Sequence, residues 1–276
     1  PGAQDADSGI AIIETAANVR GLYKTFNKGK SWTLMSQPGE VFNSLYAYLD
    51  NSYGAKVVAA GENGLIARVI MQYDTPFGII YLNSPAAASM KTAWADEASG
   101  GAVTITACDN TRNFYYTANG EASVASWTIQ QITVVLPADQ NIKKVLANRW
   151  SAGNNIISGT ILTETGKLFA FRKPTGSNTF SFSAYASPST VRDITLDDAA
   201  DRIFAFNLTD KKAYRIQLTS GNSTPNAMAI NPANSALASA NTMAFRNNRL
   251  TVAGNNGELY SAILNSAGAS IPSGVW

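Results

Sequence analysis

The chain has 276 residues, of which 45% are hydrophobic and only 14% charged, with a formal net charge of +2. An aromatic content of 10% beside so small a charge excludes a disordered polyelectrolyte, and the scattered basic residues exclude a binder of phosphate backbones, which needs clustered Lys and Arg. There is no histidine and a single cysteine, so Ser-His-Asp and Cys-His catalysis, an intrachain disulfide and His- or thiolate-rich metal sites are ruled out, and no apolar run reaches the roughly 18 residues that span a bilayer.

Pro1 is not an initiator residue, so the sequence is expected to come from a processed, trimmed or longer chain. Residues 1–9 are expected to supply a short inner strand, or that strand is missing. Short alternating or β-branched runs then recur between Gly, Asn, Asp, Ser and Pro clusters. They are Ile10–Glu14, Phe42–Leu49, Lys56–Ala60, Met90–Ala95, Val103–Ala107, Ile129–Leu136, Ile142–Ala147, Val191–Leu196, Ile203–Asn207, Asn241–Arg246 and Leu250–Ala253. The Ala-rich stretch Ala86–Glu97 comes nearest to a helix and reads better as a loop entering a strand at Lys91–Ala95. Cys108 closes an apolar run and is expected to act as a small buried hydrophobe.

Two segments nearly repeat: Val58-Ala-Ala-Gly-Glu-Asn-Gly-Leu-Ile66 and Val252-Ala-Gly-Asn-Asn-Gly-Glu-Leu-Tyr260. Each reads as strand, tight turn, strand, with Asn63-Gly64 and Asn256-Gly257 supplying the left-handed backbone of a two-residue hairpin turn. Weaker copies lie at 12–23, 104–115, 161–169 and 204–214. The second strands open at Tyr23, Ile66, Tyr115, Phe169, Tyr214 and Tyr260, at intervals of 43, 49, 54, 45 and 46 residues. That period matches a four-stranded propeller blade. The predicted fold is therefore all-β: a β-propeller of about six four-stranded blades starting near residues 1, 42, 90, 142, 191 and 238, in one domain over 1–276. Ser273–Trp276 is expected to be its last strand. A β-sandwich is the alternative, but it does not call for six similar hairpins at one spacing.

The most specific local pattern is Thr25-Phe-Asn27-Lys-Gly29-Lys-Ser31-Trp32. Asn27 can bond backbone amides of its own turn, Gly29 permits a backbone angle that other residues resist, and Trp32 is expected to anchor the hairpin in apolar packing. The segment resembles the Asp-box of the bacterial-neuraminidase-repeat families, with Asn27 in place of the usual Asp and Ser31 in place of Thr. Fainter remnants are Thr117-Ala-Asn-Gly with Trp127, and Gly176 with Thr179-Phe180. The resemblance implies a propeller like those of sialidases, photosystem-assembly factors and other extracellular repeat proteins, and a turn with a structural role away from any catalytic centre.

A sialidase-like glycoside hydrolase would need three arginines on the sugar carboxylate, an Asp acid and a Tyr–Glu pair. Arg20, Arg68, Arg149, Arg172, Arg192 and Arg246 are available, but the family's early Arg-Ile-Pro motif is absent and no Glu–Tyr pair follows from a motif. Asp193, Asp197, Asp198 and Asp201 cluster in sequence and could offer oxygen ligands to Ca²⁺, without EF-hand or nonapeptide spacing. Trp32, Trp94, Trp127, Trp150 and Trp276 read as core residues, with sugar stacking as the alternative. Asn207 and Asn222 head glycosylation-type triplets.

No catalytic residue, metal or cofactor is therefore expected. The low charge and the abundance of Asn, Ser, Thr, Gly and Ala resemble virion and surface β-proteins. The expected role is a non-enzymatic structural or binding propeller on a bacteriophage virion (tail, fibre or decoration) or a secreted bacterial surface component. Its partners would be other subunits of that assembly, with glycans as a further ligand class, no nucleic acid and no membrane span. The location would be virion or extracellular, and the sialidase-like hydrolase is the alternative. An assembly factor would need a basic face that the sparse arginines do not reveal.

Overall fold

The structure, a computed structural model, describes residues 8–49, 55–70, 78–98, 100–132, 136, 140–150, 156–174, 176–177, 179–186, 188–197, 201–218, 227–229, 239–255 and 257–264. Among them are 22 strands in six antiparallel sheets. The first sheet is β1 (Gly9–Ala16), β2 (Val19–Thr25) and β3 (Thr33–Leu34). The second is β4 (Phe42–Leu49), β5 (Ala55–Gly61), β6 (Ile66–Ile70) and β7 (Gly78–Tyr81). The third is β8 (Met90–Glu97), β9 (Val103–Asp109), β10 (Asn113–Thr117) and β11 (Thr128–Gln131). The fourth is β12 (Ile142–Trp150), β13 (Ile156–Thr163), β14 (Leu168–Lys173) and β15 (Ser181–Ala184). The fifth is β16 (Val191–Asp197), β17 (Arg202–Asn207), β18 (Lys212–Gln217) and β19 (Ala227–Ala229), and the sixth is β20 (Ala240–Arg246), β21 (Arg249–Gly254) and β22 (Leu259–Ile263).

Every sheet is a meander in which sequence neighbours pair in order. This is the blade pattern of a β-propeller, and the chain is an all-β protein of that class. The alternative of two stacked sheets does not describe it. The stretch 86–97 is a loop that enters a strand at Met90. Residue 238 and the expected terminal strand Ser273–Trp276 lie outside the described residues, and the sixth sheet begins at Ala240.

The chain forms two compact units, Pro1–Gln131 and Ile132–Trp276. In the first, the second sheet is apolar on both faces because successive side chains of a strand point to opposite sides. Val57, Ala59, Ala67 and Val69 face a core with Leu22 and Phe42. Their neighbours Val58, Ala60 and Ile66 face a different core with Met90, Ile105 and Tyr115. In the second unit Phe204, Phe206, Met243, Leu250 and Val252 fill the equivalent space between the fifth and sixth sheets. The second strand of a blade is accordingly the most enclosed: every residue of β9, β13 and β17 is buried. The outer strands β11 and β15 are half-exposed or exposed throughout. Burying each large apolar side chain contributes roughly 1.5–3 kcal/mol, so the cores between sheets, rather than any one sheet, hold each unit together.

Candidate functional site

Two recurring arrangements gather the polar and aromatic side chains. The first is the turn before the outer strand. Between β2 and β3, Thr25 is buried and its Oγ1 donates to Asn27 Oδ1 at 2.9 Å. The same Thr25 oxygen accepts from the amides of Asn27 at 3.3 Å and Gly29 at 3.1 Å. Asn27 Oδ1 then accepts the Ser31 amide at 2.9 Å, Asn27 Nδ2 donates to Ser31 Oγ at 2.8 Å, and the Lys30 amide donates to the Asn27 carbonyl at 3.3 Å. Lys28 and Gly29 both have positive φ, 60° and 78°, which lets the turn close around the Asn27 side chain. The turn residues read from sequence are thus brought together.

Trp32 behaves differently from the sequence expectation. It is not a core anchor: it is 37% exposed. A Cβ built on Gly29 would lie 3.6 Å from the Trp32 ring, and one on Gly9 would lie 3.8 Å away, so the indole rests on backbone. Within its own unit the first sheet has no earlier sheet for the ring to pack on.

The same turn recurs between β10 and β11 with three more residues in it. Thr117 Oγ1 donates to Asn119 Oδ1 at 2.6 Å and accepts the Asn119 amide at 3.2 Å. Asn119 Oδ1 accepts the Ser126 amide at 2.9 Å, and the Ala122 amide donates to the Asn119 carbonyl at 3.2 Å. Here the aromatic residue is anchored. Trp127 packs against the core between the second and third sheets, and its Nε1 donates to the Asn83 carbonyl at 3.0 Å. The remnant in the fourth sheet keeps the aromatic without the turn. Phe180, 5% exposed, packs against Phe171 and Phe182 with ring centroids 6.0 and 6.4 Å away, but Ser177 Oγ, not an Asn, accepts the Thr179 amide.

The second arrangement was missed in the sequence. Five first strands carry a β-bulge near their start, with register shifts at Phe42/Ser44, Met90/Thr92, Ile142/Lys144, Val191/Asp193 and Ala240/Thr242. A bulge re-aims side chains, and the five residues within it are Asn43, Lys91, Lys143, Arg192 and Asn241. In the first unit Asn43 Nδ2 donates to Glu62 Oε1 and to the Met90 carbonyl, both at 2.9 Å, while Arg20 donates to Asn43 Oδ1 at 2.8 Å. Burial opposes ionisation of Glu62, but hydrogen bonds from Ser89 and Asn43 and the charges of Lys91 and Arg20 outweigh it and hold the carboxyl below its ordinary range. In the second unit Lys143 donates to the Arg192 carbonyl at 2.5 Å, and Arg192 Nη2 donates to Asn241 Oδ1 at 2.8 Å. Lys144 bonds Asp193 at 3.0 Å, and Asp193 accepts from Thr242 Oγ1 at 2.8 Å and the Met243 amide at 2.9 Å. Burial pulls the Lys143 ammonium below its usual pKa, and Asp193 opposes that pull. These side chains bridge consecutive sheets of one unit.

The Asn63-Gly64 turn has the left-handed backbone expected, with φ of 56° and 74°, but it is a 3-10 turn over Glu62–Gly64 in a four-residue connection rather than a two-residue hairpin: the Leu65 amide donates to the Glu62 carbonyl at 3.1 Å, and the Gly61 amide donates to the Leu65 carbonyl at 2.8 Å. At the copy, the Gly254 amide donates to the Glu258 carbonyl at 2.8 Å and Gly257 has φ 77°, while Asn256 lies outside the described residues. The aspartates do not converge. Asp193 is bridged as above, Asp197 pairs with Arg202 at 2.5 Å, Asp201 bonds Asn148, and Asp198 lies outside the described residues. Among the described residues there is no group of His, Cys, Asp and Glu that could hold a metal.

Cys108 is fully buried, and burial followed by the Asp109 charge pushes its thiol well up. Burial also opposes ionisation of Asp109, but bonds from Tyr115, Asn113 and Thr111 prevail and lower its pKa. Of the arginines considered for a carboxylate clamp, Arg68 is buried against Tyr48 Oη at 3.1 Å and the Gly120 carbonyl at 2.7 Å, and Arg20 and Arg192 bond the asparagines above. Asn207 is no glycan acceptor, since it is 5% exposed and its side chain bonds Thr190 and Asp210. Asn222 and Trp276 lie outside the described residues.

No family model and no curated protein matches this chain. Solved structures do. A candidate 6-phosphogluconolactonase from Bacteroides uniformis is 14% identical with a TM-score of 0.60, over 99% of this chain and 83% of that one. BBS1N, in a complex with ARL6DN, is 13% identical with a TM-score of 0.58, over 92% and 75%. A functionally unknown protein from Desulfotomaculum acetoxidans is 14% identical with a TM-score of 0.65, over 98% and 79%. At such identities the likeness is one of fold, and a fold of this kind hosts unrelated functions.

Proposed function

We propose that this propeller is a non-enzymatic structural or binding module of an extracellular or virion assembly. The observation that carries the reading is what the polar side chains bond to. The bulge residues Asn43, Lys143 and Arg192 bridge neighbouring sheets, so they brace blades rather than converge on a reacting atom. The carboxyls of Glu62 and Asp109 are biased toward the ionised form, the opposite of what a general acid needs. The Thr25–Trp32 turn, with its likeness to the Asp-box, fits a repeat used as scaffold.

The test is turnover by the full chain on a fluorogenic sialoside and on 6-phosphogluconolactone, the second because one protein of similar fold carries that name. The expected result is no hydrolysis above the buffer rate. Sialoside hydrolysis abolished by Arg20→Ala or Arg192→Ala would favour the sialidase-like alternative, and turnover of either substrate would overturn the reading.

A further inference from the structure

The turns after β2 and β10 share one hydrogen-bond plan, so β2 is the copy of β10, and β1 is the copy of β9. In the third sheet β9 pairs on one side with β10 and on the other with β8. In the first sheet β1 pairs with β2, and among the described residues no strand lies on its other edge. The neighbouring strand β4 shows the same gap. Counted from their bulges, Leu45 and Ala47 of β4 match Ala93 and Ala95 of β8. Ala93 and Ala95 face the core that the third sheet shares with the second and are buried, at 3% and 1% exposure. Leu45 faces the core shared with the first sheet, yet it is only half-buried, and Ala47, on the same side of the strand, is exposed. Every residue of β9 is buried, whereas Gly9–Ile13 of β1 are half-buried throughout. A free backbone edge and an uncovered apolar strand face thus border the place that β8 fills in the third sheet. At the start of β4, Arg20 of β2 bonds Asn43, and its buried Nε has no partner among the described residues.

We propose that the edge of β1 is a docking site for one β-strand of a partner protein, which completes the first blade as β8 completes the third. The added strand runs antiparallel to β1 and bonds its free amides and carbonyls, the mode in which an edge strand takes up an extended peptide. The chemistry of the occupant follows from the inner strands that the chain itself shows. β4 places Tyr46 and Tyr48 in the core that holds Ala93 and Ala95. The docked strand therefore carries large apolar residues at alternate positions, on the side that meets Leu45 and Ala47. Its length is that of the five inner strands, 8 residues in β4 and β8, 9 in β12 and 7 in β16 and β20. Residues 1–7, Pro-Gly-Ala-Gln-Asp-Ala-Asp, contain no large apolar side chain and are poor strand formers, which points to another chain as the donor. The proposal rests on the reading of the chain as a binding module and specifies what it binds.

The test is titration of the full chain with a fluorescein-labelled peptide of the Phe42–Leu49 sequence bearing a lysine tail, read by anisotropy. A peptide of the same residues in scrambled order, with the same tail, is the comparator. Hydrogen exchange at Ile10–Ile13 is followed with and without peptide. The ordered peptide should bind and the scrambled one should not. Alternate amides of Ile10–Ile13 should exchange quickly in the free chain and slowly with the peptide bound. Ala47→Arg should weaken binding about tenfold, because it sets an unpaired charge against apolar side chains, and Ala47→Ser should keep most of it. Both variants should leave the melting temperature unchanged, since Ala47 is exposed. Protection of all these amides in the free chain would mean that the edge is already filled. The occupant would be another segment of this chain where light scattering gives a monomer, and a second copy where it gives a dimer. Either result overturns the proposal, as do equal binding of the two peptides, no binding of either, and binding indifferent to Ala47→Arg. Those outcomes leave the non-enzymatic reading standing, since only turnover sinks it.

Discussion

The turns 25–32 and 117–127 share a hydrogen-bond plan and differ in what they do with their tryptophan. In both, a buried Thr hydroxyl donates to an Asn Oδ1, which accepts the amide of the Ser before the Trp. The second turn has the core between the second and third sheets beneath it, and Arg68 donates to its Gly120 carbonyl. The first has no earlier sheet of its own unit beneath it, and its ring stays partly in solvent. A local motif therefore fixes a turn, while the neighbouring sheet decides whether the turn is an anchor or a surface.

The sharpest break of this comparison is at the rings. Trp127→Ala should destabilise the fold by about 3 kcal/mol, the low end for large aromatic deletions, because it removes a half-buried ring packed on the core between the second and third sheets. Trp32→Ala should change stability by less than about 1 kcal/mol, as surface truncations do. Urea unfolding of the two variants checks the pair, and equal losses would show that the rings are equally packed.

Next come the glycines. A Cβ at Gly120 would lie 2.5 Å from Ile105 Cδ1, and Ile105 is fully buried, so Gly120→Ala should cost about 2 kcal/mol through overpacking. At Gly29 the added Cβ meets ordinary contacts, and the positive φ alone should cost about 1 kcal/mol. Melting temperatures would order these two variants.

Smaller and more alike should be Asn27→Ala and Asn119→Ala, each losing about 1 kcal/mol with its accepted amide bond. Asn27→Asp keeps the acceptor and should be nearly neutral by the same denaturation measurement.

The smallest effect concerns pH. Asp109 has a lowered pKa, so its stabilisation is complete above the ordinary carboxylate value of about 3.9 and disappears as pH falls through the lower folded value. Asp109→Asn should flatten the loss of stability as pH falls below the ordinary carboxylate value, followed by circular dichroism. An unchanged acid slope would show that the hydrogen bonds of Asp109 do not favour its ionised form.

Much of the fold was legible because it is local and repeated. The Val58–Ile66 and Val252–Tyr260 segments announced hairpins, and the amide of Gly61 or Gly254 reaches the carbonyl four residues on in both. The second Thr-x-Asn turn was visible as a remnant, but three extra residues before Trp127 hid that its hydrogen bonds are the same. The bulges were missed although they left a signal: a polar residue after the first apolar residue of each first strand, at 43, 91, 143, 192 and 241. Sequence gives the period of such residues but not the register shift that turns them toward the next sheet.

By itself, then, the sequence determined strand type, blade period and the turns at Asn27 and Asn63, since alternation, left-handed turn residues and side-chain-to-backbone bonds act within a few positions of each other. Tertiary structure decided that Trp127 is anchored and Trp32 open, that Asp193 is bridged to the next sheet, and that Lys143 and Arg192 brace sheets. Burial and pairing depend on which sheet arrives from some 50 residues away, and no local pattern carries that information.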